Sequence, residues 1–258
     1  MEEEERAMSK IYEALEQAQK ERKGLEQVPQ VLKVEQKPVR AEENEIYSVE
    51  LAMEEEMLHL YHTVESLLPN QKKRVIQFIG SGEGEGTSTI AREFARIATM
   101  TLGQGVLLLD ADRHNPTQHF FCNVSPEYCL DDIVQNGESP DRALYRVGAS
   151  GLYVSLISRN SNSGQNAFDS STFDEMWDVL KERFDLILID SPPATASPGG
   201  SVMFKKADGV VIVVEADKTR WPVVQSVRER IEQHGGHVLG VVLNKRRYYI
   251  PEFIYKRL

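Results

Sequence analysis

Six short apolar runs between residues 75 and 243, four of them stopped by glycine or a carboxylate, leave this chain few folds to choose from. Val75–Ile79 stops at Gly80, Val106–Leu109 at Asp110, Leu186–Ile189 at Asp190 and Val210–Val214 at Glu215; Leu152–Ile157 and Val238–Leu243 complete the set. The runs are continuous instead of alternating, which suits strands covered on both faces. Helical stretches at Ser88–Leu102, Thr172–Arg183 and Pro222–His234 separate most of them. Strand and helix in alternation predict an α/β fold, a three-layer sandwich around a mainly parallel sheet with right-handed crossovers. Ligands of such sheets bind beyond the carboxyl ends of the strands. Here those ends carry Gly80–Thr89, Asp110–Asp112, Asp190 and Asn244.

Each of these ends has a chemistry. Gly80-Ser-Gly-Glu-Gly-Glu-Gly-Thr-Ser-Thr89 lies between a strand and a helix, where backbone N–H groups and a helix N-terminus can wrap a phosphate. Aligned on Gly86, the pattern G-x-x-x-x-G-K-[ST] puts Thr87 in the lysine position and Ser88 in the position of the Mg²⁺-binding hydroxyl, with Thr89 following. Gly84, Glu85 and Gly86 complete the candidate phosphate cradle. Asp110 and Asp112, two residues apart after a buried strand, point the same way; they could organise Mg²⁺ or take a proton from an attacking hydroxyl. Asp190, before Ser191-Pro192-Pro193, fits the Mg²⁺ acid of P-loop proteins. Asn244 could read a purine edge or cap a turn. The glycines and the spacing to Asp110 also admit a dinucleotide site, but Ser88-Thr89 and the Asp190 motif favour phosphate and Mg²⁺.

Ahead of the sheet, residues 1–25 predict a docking helix, with Ile11, Leu15 and Ala18 on a narrow apolar stripe. Residues 26–47, with Pro29, Pro38 and many charges, predict a linker. An amphipathic helix with Met57, Tyr61, Val64 and Leu68 on one face leads into the nucleotide-binding domain, expected over 48–258. A formal net charge of −10 argues against general nucleic-acid binding. No apolar run reaches the ~18 residues of a membrane span, and the start is acidic where a signal peptide is basic. The expectation is a cytoplasmic chain that is not inserted in a membrane and reaches one only through a partner. Cys122 and Cys129 have no metal-type spacing and are expected to be reduced thiols.

Taken in order, these pieces resemble the bacterial tyrosine kinases of capsule and exopolysaccharide export, of CpsD/CapB type. The residues that carry the resemblance are Gly84-Glu-Gly-x-Ser88-Thr89, Leu107–Asp112 with Pro116, Phe184–Pro193, Ala207–Val211 and Val241–Asn244. Met8–Leu15 adds the opening seen in exopolysaccharide-linked members. The resemblance implies a P-loop NTPase-like fold preceded by N-terminal helices, with ATP or ADP and Mg²⁺ as cofactors. It further implies a homo-oligomer, an inner-membrane chain-length regulator as partner, and autophosphorylation of tyrosines near the C-terminus, for which Tyr248, Tyr249 and Tyr255 are the candidates. By the same match Ser88, Asp110 and Asp190 serve the metal, and Asp110 and Asp112 the chemistry. Tyr248-Tyr249-Ile250-Pro251 could equally pack.

Four departures accompany the match. Thr87 replaces the lysine, His114 replaces an arginine, Glu56-x-x-His59-x-x-His62 stands where an oligomerisation helix carries E-x-x-R-x-x-R, and tyrosines in the tail are few. A charge-assisted hydrogen bond to phosphate contributes roughly 1.5–3 kcal/mol, so its loss weakens binding by roughly one to two decades. Arg113 or a neighbouring subunit could supply a substitute cation. The readings are therefore a weak tyrosine autokinase, or a nucleotide-sensing adaptor of the exporter. A partition-type ATPase is disfavoured, because Gly82 stands where that group carries a lysine.

Overall fold

The computed structural model describes residues 43–69, 71–158, 171–195 and 203–246. The chain divides into two units, Met1–Ile46 and Tyr47–Leu258. The first lies almost wholly outside the described residues, as do the expected docking helix and residues 26–42 of the expected linker.

Helix α1 (Glu43–Leu67) begins inside the stretch expected as linker. Its apolar residues behave as their spacing requires: Met57, Tyr61 and Val64, with Leu68 just beyond, are buried, while Glu56, His59 and His62 are exposed. After it come β1 (Arg74–Gly80), α2 (Thr87–Met100), β2 (Val106–Asp110), α3 (Gln118–Phe121), α4 (Leu130–Gln135), β3 (Tyr145–Arg146) and β4 (Leu152–Leu156). The chain then continues through α5 (Ser171–Arg183), β5 (Leu186–Ser191), β6 (Gly209–Glu215), α6 (Trp221–Gln233) and β7 (Val238–Asn244). No described helix is long and apolar enough to cross a membrane.

The seven strands form one sheet in the order β3-β4-β2-β5-β1-β6-β7. Every pairing is parallel except that of β3 with β4. All six apolar runs become strands, and the reason is visible in β2. Val106 and Leu108 face one core with α1 and α2, and Leu107 and Leu109 face the other with α4 and α5. A strand with period-two side chains and helices on both sides has no polar face to expose. On the second face, Val210, Ile212 and Val214 of β6 meet Val224, Val227 and Ile231 of α6. The result is three layers, as the alternation of strand and helix predicts.

Two features depart from the sequence pattern. Strand β7 is not covered on both faces: Val241 is 43% and Leu243 66% exposed. It ends the sheet and pairs with β6 alone among the described strands, and a continuous apolar run cannot tell an edge strand from a central one. The two-residue β3 turns back against β4 as an antiparallel edge, too short to leave a periodic signal. Beside the centre of the first core, Phe94 of α2 packs its ring 5.3 Å from Phe78 and 5.4 Å from Tyr61, joining the sheet, α2 and α1. Phe94→Ala is expected to lower unfolding free energy by about 3–5 kcal/mol, read from urea denaturation, because the cavity cannot close between three rigid elements.

Candidate functional site

The glycine-rich loop leaves β1 at Gly80 and enters α2 at Thr87. It turns on Gly84 (φ 75°) and Gly86 (φ 89°), in a region of backbone space that suits glycine. Gly86 is required on a second count, since a Cβ there would lie 2.2 Å from Asn244 Nδ2. As the N-cap of α2, Gly86 makes no side-chain cap, and the first turn of the helix holds no acidic residue. The first N–H groups of α2, at Thr87, Ser88 and Thr89, thus have no acceptor within the helix.

Five side chains hold the loop. The buried Glu85 carboxylate accepts from Ser81 Oγ at 2.6 Å, from Gly82 N at 2.8 Å and from the Thr219 hydroxyl. Asn244 Nδ2 donates to Glu85 O at 2.8 Å, and Lys245 Nζ donates to Gly84 O. In a trans peptide the C=O and N–H point in opposite directions. Tying down the carbonyls of Gly84 and Glu85 therefore aims the next two N–H groups, of Glu85 and Gly86, the other way. Both polar atoms of the Asn244 side chain are engaged, since its Oδ1 accepts from Lys245 N at 2.8 Å. Of the two roles its sequence position allowed, the structure shows it holding the turn and the loop.

A cleft of about 920 Å³ opens over the loop. Gly82–Thr89, Asp112, His114, Asn115, Thr117, Ser191–Pro193 and Lys245 line it. Candidate residues 84–89 and Asp112 are thus brought together. Asp112 Oδ1 accepts from the N–H groups of His114 and Asn115, which fixes the carboxylate at the rim.

Asp110 and Asp190 lie beneath this surface, each 1% exposed, as register partners on β2 and β5. Asp110 accepts backbone N–H groups from Asp112 at 3.2 Å, Thr117 at 2.8 Å and Gln118 at 2.9 Å, so it shapes the segment that carries Asp112. Burial pushes its carboxyl up to about 6, against the pull of those donors. Asp190 is pushed up to about 7, by burial first and by the neighbouring Asp110 second. Its Oδ2 accepts from Gln118 Nε2 at 2.7 Å, and the nearby Ser88 hydroxyl favours the charged form of the same carboxylate. Its Oδ1 is buried without a hydrogen-bond partner. A carboxylate with one orphaned oxygen beside a serine hydroxyl, at the foot of a phosphate loop, fits a hydrated Mg²⁺.

Arg113, the substitute cation suggested by its place in the sequence, is engaged elsewhere: it pairs with the buried Asp131 at 3.6 Å and does not line the cleft. Tyr248, Tyr249 and Tyr255 lie outside the described residues. Three further residues at the site have no role in the sequence pattern. Gln118 links the Ser88 carbonyl to Asp190, Thr219 links Glu85 to the segment after β6, and Lys245 stands at the loop itself. Gln118 and Thr219 carry no motif, whereas Lys245 could have been noticed as a cation one residue beyond a strand end.

No family model matches the chain. The tyrosine-protein kinase CpsD of Streptococcus pneumoniae is 27% identical to it over 183 residues, covering 69% of this chain and 78% of CpsD. Among solved structures, the chimerical protein CapA2B2 is 25% identical, with a TM-score of 0.65 over 71% of this chain and 82% of that one. The kinase domain of the Escherichia coli tyrosine kinase ETK shares the fold at 18% identity, with a TM-score of 0.69 over 76% of this chain and 78% of that one.

Gly86→Ala is expected to destabilise the protein by about 2 kcal/mol or more, from its positive φ and its clash together. In an Asn244→Ala background the steric part should vanish and the backbone part remain, which a double-mutant cycle of thermal unfolding reads as a combined cost below the sum of the two single ones. The buried carboxylates set a pH dependence. A carboxyl whose folded pKa is raised binds more protons when folded, so stability falls as pH rises from about 4, the unfolded value, to about 7. Asp190→Asn is expected to flatten that fall in the nucleotide-free protein, followed as melting temperature from pH 5 to pH 7.5.

Proposed function

We propose that this chain, a relative of the CpsD/CapB-type bacterial tyrosine kinases in sequence and fold, binds ATP with Mg²⁺ in the cleft and acts as a tyrosine autokinase of capsule or exopolysaccharide export. The observation that carries the reading is the orphaned Asp190 oxygen beside Ser88, at the foot of a loop whose last N–H groups, at Thr87–Thr89, have no acceptor within the helix they open. In this reading Gly84–Thr89 hold the phosphates, and the α2 dipole favours their charge. Ser88 and Asp190 hold the metal side. Mg²⁺, when bound, supplies neutralisation of phosphate charge. Asp110 keeps the 111–118 segment in shape, and Asp112 at the rim accepts the proton of an incoming tyrosine hydroxyl. Tyr248, Tyr249 and Tyr255 are the acceptors, reached within an assembly of several copies, and an inner-membrane chain-length regulator is the partner. The exposed Glu56, His59 and His62 on α1 form a face such an assembly could use.

Thr87 favours a second reading, an adaptor that senses nucleotide without transferring phosphate. A lysine neutralises charge on the transferring phosphoryl as well as in the bound state, so its loss burdens turnover more than binding. The full chain incubated with ATP and Mg²⁺ is expected to carry phosphate on one or more of the three tyrosines by mass spectrometry, and Asp112→Asn to abolish it. Nucleotide binding without phosphotyrosine would select the adaptor. Thr87→Lys is expected to tighten ATP binding about 10- to 100-fold in calorimetry; an unchanged affinity would refute this account of the loop.

A further inference from the structure

We infer that Lys245 supplies the cation for the nucleotide phosphates that position 87 lacks. The inference rests on the nucleotide reading above and deepens it. Among the described residues, Lys245 is the one lysine or arginine that lines the cleft. Glu83, Glu85 and Asp112 line the same cleft. Without Lys245, a ligand carrying several negative charges would meet carboxylates and no permanent positive charge but the helix dipole.

The geometry leaves Lys245 able to move. Its Nζ donates to Gly84 O and lies 3.2 Å from Glu215 Oε2. Lys218 Nζ stands 3.1 Å from the same oxygen. Two ammonium groups therefore share one carboxylate, and Lys245 can exchange Glu215 for a phosphate while Lys218 keeps Glu215 paired. The Lys245 side chain is 47% exposed, which leaves its ammonium open to solvent on the cleft side of the loop. Its backbone is held meanwhile. Lys245 sits at φ 57°, where glycine or asparagine is the ordinary occupant, and the Asn244 side chain fixes it there through Lys245 N. A long cation kept in that conformation, over a loop with no lysine of its own, is a local departure with a use at the site.

Lys245 also bonds the loop, so the test must separate loop-holding from charge. Calorimetry of the full chain with Mg²⁺ present compares ATP with AMP, which lacks the outer phosphates. Lys245→Gln is expected to weaken ATP about tenfold or more and AMP less than about threefold, with Lys245→Arg retaining most of the ATP affinity. Glu215→Gln, which removes the competing carboxylate, is expected to tighten ATP. Equal losses for ATP and AMP in Lys245→Gln would overturn the inference, because a loosened loop weakens both alike. ATP affinity unchanged in Lys245→Gln would overturn it as well. A wild-type chain that binds ATP while either result holds leaves the nucleotide reading standing; one that binds no ATP refutes that reading and this inference together.

Discussion

The bond from Asn244 Nδ2 to Glu85 O is the contact on which the site depends. It joins the end of the edge strand to the loop after the central strand β1, and it packs so closely over Gly86 that no side chain fits there. With the Lys245 bond to Gly84 O it directs two successive carbonyls to the protein and two N–H groups to the opposite side. A loop rich in glycine loses much conformational entropy on ordering. Here the loss is offset by contacts from β7, from Thr219 after β6, and from Glu85, which folds back on the start of its own loop.

A second constraint lies under the cleft. Asp110 and Asp190 face each other across adjacent strands, and both carboxyls are pushed well above the ordinary range. Like charges so close and so little solvated cannot both ionise cheaply. Asp110 accepts three backbone N–H groups, which tie it to residues 112–118. Asp190 has fewer donors and keeps an unpartnered oxygen. The two aspartates, equal in the sequence as strand-ending acids, are thus divided by their surroundings into different parts.

Most of the fold could be read in advance, because strands covered on both faces are continuous apolar runs and their helices repeat at 3.6 residues. What escaped were the elements with no period, namely β3, α3 and α4, and the edge position of β7, on which the pattern is silent. At the site, the residues that belong to the glycine loop and the strand-end acids were legible. The residues that hold them were not: Gln118 reaches Ser88 and Asp190 from a four-residue helix, and Thr219 reaches Glu85 from a loop. Asn244 was legible as a polar strand end, but its two possible uses differ only in what stands opposite the amide.

The sequence by itself determined the layered sheet, the glycine loop, the acids at its strand ends and the absence of a lysine at position 87. Each of these is a local pattern, set by side-chain type and spacing along the chain. Only the tertiary structure decided which cation stands at the loop. Arg113, close to the acidic motif in sequence, is drawn off to Asp131. Lys245, 161 residues from Gly84, is brought beside it because β1, β6 and β7 are neighbours in the sheet. Strand order follows from how crossovers pack helices on both faces, a property of the assembled chain that no single stretch of it encodes.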